Sequence, residues 1–178
     1  KYNLINLSVK LIKKMKNINK KNNNKESAIL LSCANNLTKV SLELLKNKKI
    51  DLTKIDNNKC TPLIYASMED NLQVVTEITK KKCNISQIDS EGEDALSSAV
   101  LNKNETIALV IAENWDIDFN RLYTVGNNKI TIMNRMLYFG MTILCEYLIK
   151  SEKYDLGYID YMNKTLLINL IEKKYEYL

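Results

Sequence analysis

The residue types that carry chemistry are few in this chain and poorly spaced for it. There is no histidine, so general acid–base work would fall to Asp, Glu, Lys, Tyr or Cys, and no such set stands in a recognisable arrangement. Cys33, Cys60, Cys83 and Cys145 lie far apart with no C-x-x-C pair, which excludes zinc sites of the usual spacing and Cys–His nucleophile pairs. Gly126-Asn127-Asn128-Lys129 lacks the glycines and the Lys-Ser/Thr ending of a phosphate loop. The expectation is therefore no catalytic residue, no metal site and no cofactor. Free thiols point to a reducing, cytoplasmic setting by default, while an even cysteine count leaves a secreted, disulfide-bearing form open.

Charge is distributed unevenly. Residues 1–25 hold eight Lys and no acid, so of the net +5 the remaining chain carries −3. Arg121 and Arg135 are the only arginines, where a reader of nucleic acid would use several to grip guanine and phosphate bidentately. A nucleic-acid partner is not expected from this composition. The Lys-, Asn- and Ile-heavy usage reads instead as AT-rich coding. No apolar run approaches the ~20 residues a membrane-crossing helix needs.

The elements that must position these residues are helices. With 178 residues, 46% hydrophobic, 4 Gly and 1 Pro, the chain has material for one core or for a stack of four to six repeats, and little for a turn-rich β architecture. Thr61 can cap a helix with its hydroxyl, and Pro62 then stands at the first helical position, where its missing N–H costs nothing. Asp56-Asn57-Asn58 before it is a turn signal. The same register recurs, with cap slots at Ser27, Thr61, Asp94, Thr131 and Thr165. One interval is longer, 37 residues from Asp94 to Thr131, which predicts a protruding or rearranged hairpin around Val125-Gly126-Asn127-Asn128.

Thr61-Pro62-Leu63-Ile64-Tyr65-Ala66 resembles the Thr-Pro-Leu-x-x-Ala signature of the ankyrin repeat, a turn followed by two antiparallel helices. The resemblance implies an all-α solenoid of about five helix-turn-helix repeats joined by β-turn or hairpin loops. Residues 1–178 then form a single domain. Residues 1–22 are an N-terminal helix with a polar outer face, its Leu4, Leu7, Leu11 and Met15 at helical spacing; 23–56, 57–89, 90–122 and 123–160 are repeats; 161–178 begin an incomplete one. Where the family prefers Gly between helices stand Asn36, Asp70, Lys103, Gly140 and Lys174, and the two lysines predict a different turn because Lys does not favour positive φ. Trp115 stands where the family has a helix-ending Gly, beside an Asn114 able to take the left-handed conformation, and is expected to pack under the unusual loop.

The family resemblance further implies a non-catalytic module that binds another protein on its concave face through variable turn-tip and first-helix positions. In this sequence the apolar and aromatic residues at those positions collect near the C-terminal end: Ile130, Tyr138, Phe139, Tyr161 and Met162, with Asn127 and Asn128 at the hairpin tip. These seven form the candidate protein-binding site. Two alternatives from other classes stand beside it: an ankyrin fragment of a larger enzyme or adaptor, and a Lys-rich N-terminus that binds nucleic acid or an acidic surface. The residue usage also suggests a secreted or host-directed binding protein of a parasite or virus.

Overall fold

In the computed structural model, which describes residues 2–81, 83–160 and 162–175, a short helix begins at Pro62 as the cap chemistry requires. Thr61 is extended, with φ −95° and ψ 166°, and its Oγ1 accepts the N–H of Ile64 at 3.2 Å. That arrangement repeats along the chain. Helices α2 (Ala28–Ala34) and α3 (Thr38–Leu45), α4 (Pro62–Met68) and α5 (Leu72–Thr79), α6 (Ala95–Leu101) and α7 (Glu105–Asn114), and α8 (Ile132–Phe139) and α9 (Thr142–Ser151) pack as pairs, preceded by α1 (Tyr2–Ile12) and followed by α10 (Leu166–Tyr175).

Helices of seven to eleven residues are too short to persist alone, so stacking holds them. The first helices α2, α4, α6 and α8 form one row, and α1, α3, α5, α7 and α9 form a second. Between the rows runs one apolar seam, with Leu44, Ile64, Val74, Val75, Ile78, Ala99, Ile107, Met136 and Leu144 buried. Polar contacts tie neighbours together at the turns. Asn71 donates to Asn36 Oδ1 at 2.6 Å and to Thr38 Oγ1 at 2.8 Å, and Asn104 donates to Asp70 Oδ1 at 3.3 Å.

Backbone conformation carries the same period. Positive φ occurs before α2, α4, α6 and α10 at Lys25, Lys59, Gly92 and Asn163, and between the paired helices at Asn36, Asp70, Lys103 and Gly140. Lys103, at φ 57°, thus adopts the left-handed turn that its side chain disfavours; neighbouring pairs dictate the turn and the residue bears the strain. Before the helices, Asx side chains complete the turn. Asp56 accepts from the N–H of Cys60, Asp89 from those of Glu91 and Glu93, Asp160 from those of Met162 and Lys164, and Asn22 from those of Asn24 and Glu26.

Several expectations need correction. Ser27 occupies its N-cap position, but its side chain makes no cap bond and its Oγ is buried without a partner. Lys174 lies within α10, so no turn occurs there. Asn114 closes α7 without a left-handed φ, and its Nδ2 donates back to Val110 O at 2.7 Å; Trp115, extended, packs half-buried on the core. Helix α1 ends at Ile12 and turns Ile5 and Ile12 onto the core. Its outer face is not polar: Leu4, Leu7 and Leu11 point away, 69%, 52% and 55% exposed.

Candidate functional site

The longer interval before Thr131 folds as a hairpin, β1 (Leu122–Val125) antiparallel to β2 (Asn128–Thr131), with Val125 opposite Asn128. Gly126, at φ 58°, takes the first position of its two-residue loop, where a left-handed conformation is needed. Side chains opposite one another in such a ladder share a face, so Tyr123, Ile130, Val125 and Asn128 lie together. Tyr123 is buried at the base of that face and Ile130 half-buried, while Val125 and Asn128 stand exposed toward the tip.

A buried polar network fixes the hairpin. Asp94 caps α6 by accepting the Ser97 N–H on Oδ1 at 2.8 Å. Its Oδ2 accepts the Tyr123 hydroxyl at 2.7 Å and pairs with Arg121 Nη1 at 3.0 Å. Arg135, 4% exposed, grips Glu93 with both terminal nitrogens, Nη2 lying 2.7 Å from Oε1, and its guanidinium carbon sits 4.9 Å from the Tyr123 ring centroid. Burial, and then the neighbouring Asp94 carboxylate, push the Tyr123 phenol well above its usual range, so it stays a neutral donor. Both arginines of the chain are thus paired with acids, Arg135 buried and Arg121 a third exposed. Sequence reasoning missed this network, although both arginines flank the hairpin and two consecutive acids stand at Glu93 and Asp94.

Hairpin, α8 and the turn before α10 enclose a cleft of about 580 Å³. Asn128, Ile130, Tyr138, Phe139 and Met162 all line it, joined by Leu101, Val125 and Leu137. Tyr138 is 77% exposed and Met162 54%, whereas Phe139 is half-buried against the core. The two rings meet edge to face with centroids 5.2 Å apart, and Lys103 Nζ lies 5.3 Å from the Phe139 centroid. Asn127 stays exposed at the hairpin tip and does not line the cleft. Tyr161 lies outside the described residues.

Polar atoms in the far wall are already occupied. Burial pushes the Asp160 carboxyl up, but bonds from Asn169 and from the N–H groups of Lys164 and Met162 outweigh it and hold that group below the usual carboxylate range. Among the described residues no group of acids and thiols could hold a metal ion. Cys33, Cys60 and Cys83 form no disulfide; burial pushes Cys33 up to about 12, and Cys60 and Cys83 to about 11, which leaves them poor nucleophiles at neutral pH. What the cleft offers is mainly apolar and aromatic surface, with polar side chains along its far wall.

The family model for ankyrin repeats, in three copies, matches residues 2–89. Residues 2–89 are ankyrin repeats. Beyond the matched residues the cap, the paired helices and the left-handed turn recur through α6–α7 and α8–α9, so the ankyrin geometry continues. A comparison with curated proteins found no match. Ankyrin repeats generally mediate protein–protein interactions and are typically non-catalytic. No helix among the described residues is long and apolar enough to cross a membrane.

Proposed function

We propose that residues 1–178 act as one ankyrin-repeat module, with an N-terminal helical segment over 1–22, repeats at 23–56, 57–89, 90–122 and 123–160 and an incomplete repeat from 161, and that it binds a partner protein in the cleft between the hairpin and α8. One observation carries this reading. Asn128, Ile130, Tyr138, Phe139 and Met162 come from three separate elements yet line one cleft, and the aromatic at its mouth, Tyr138, is largely exposed. Apolar area that a folded chain leaves in a concavity is the usual seat of an interface anchor. Asn127, at the hairpin tip, belongs to the rim of the same proposed surface.

Site-specific photo-cross-linking in the native setting tests the proposal. A photoreactive residue at Tyr138 or Met162 is expected to capture a discrete protein, and one at Gln73 of α5, exposed on the opposite row, is not. Replacing Tyr138 by serine should weaken the captured interaction roughly thirtyfold, as loss of an aromatic anchor does, with the melting temperature nearly unchanged. Equal capture from Gln73 would contradict it. The AT-rich residue usage supports a secreted or host-directed role for this binding; a captured protein from a host supports that extension, and one from the producing organism contradicts it.

A further inference from the structure

A second surface lies on α1. Helix α1 carries an apolar arc of about 200° when its residues are set 100° apart, and packing on α3 needs only half of it. Ile5 and Ile12 serve the core. Leu4, Leu7 and Leu11 make a separate outward stripe, continued by Met15, 41% exposed, just beyond the helix. Lys10 lies on the exposed flank of that stripe, and Lys13, Lys14 and Lys16 follow it, all exposed. The nearest acid from a packed element is Glu43 of α3, which holds Lys46 at 2.7 Å and reaches Lys13 only at 3.9 Å.

We propose that this face of α1 docks on an anionic lipid surface, lying in the interface without crossing it. Two terms act together there. Leucines enter the boundary between headgroups and acyl chains, while lysines reach the anionic headgroups and keep their stems along the apolar layer. Excess positive charge over residues 1–25, eight Lys without an acid, supplies the complementarity that a neutral apolar partner would not use. Nucleic acid would engage the lysines and leave the leucine stripe in water, so the juxtaposition favours lipid.

Flotation of the full chain with vesicles decides this. The protein is expected to bind vesicles of phosphatidylcholine containing about a third phosphatidylserine and to leave pure phosphatidylcholine unbound, at a cost of roughly fivefold in partition for each lysine of the four neutralised. Leu7→Glu with Leu11→Glu should reduce binding at least tenfold while the melting curve stays in place, because both side chains point outward. Failure to bind the anionic vesicles would overturn the proposal, as would equal binding to neutral ones. Vesicle binding that survives the leucine changes, or leucine changes that collapse the fold, would also overturn it; in the first case a purely electrostatic site that also takes a duplex DNA probe replaces it.

Discussion

Asp94→Ala should destabilise the protein by about 3 kcal/mol, a large loss for a change of one small side chain. Two separate terms add. Loss of the α6 cap frees the N–H of Ser97, worth about 1 kcal/mol. Loss of Oδ2 leaves the Tyr123 hydroxyl buried without its acceptor, which costs a further 1–3 kcal/mol or so. Arg121 contributes little because it remains a third exposed and keeps Ser86 O at 3.3 Å. Urea unfolding followed by circular dichroism measures the sum. Asp94→Asn keeps an acceptor for the cap and should lose about half as much. If Asp94→Ala falls within about 0.5 kcal/mol of the parent, the clamp on the hairpin is not there.

Arg135→Ala is expected to cost more, about 3–5 kcal/mol, because it strands Glu93 with its carboxylate mostly covered and removes the cation that faces the Tyr123 ring. The pair itself is not a strong source of stability. Its desolvation offsets most of its attraction, and Arg135 Nε is buried without a partner. Changing both residues, Arg135→Met with Glu93→Leu, should therefore return most of the loss and end within about 1 kcal/mol of the parent. A double variant as damaged as the single would show that the pair is not coupled in this way. Both substitutions should also open the cleft, since hairpin and α8 are held to α6 through these groups.

How much of this was legible depended on whether the signal was local. Thr61 and Pro62 announce a helix start by their own chemistry, and Thr131 and Asp94 do the same, so those boundaries could be read directly. Ser27 looked equal to them but turned its hydroxyl away. Lys103 misled for a different reason: its preference is a fraction of what two stacked neighbours gain by repeating the same turn. The outward face of α1 was hidden because apolar spacing locates a helix but does not say which half of a wide apolar arc meets the neighbour. The candidate cleft was half legible. Ile130, Tyr138, Phe139 and Met162 follow from their slots in the repeat, whereas the Glu93–Arg135 and Asp94–Tyr123 links join residues 42 and 29 apart, beyond any local pattern.

The repeat register underlies the fold, the cleft and the outward α1 face alike, and glycine substitution reads it most directly. Lys25 and Lys59 have φ of 62° and 60°, a conformation that costs a lysine about 1 kcal/mol and a glycine almost nothing. Lys25→Gly and Lys59→Gly should each raise the unfolding free energy by about 0.5–1 kcal/mol, whereas Glu77→Gly inside α5 should lower it by about 1 kcal/mol. A drop at Lys25 and Lys59 of the size seen at Glu77 would place them in ordinary backbone and contradict the repeating stack.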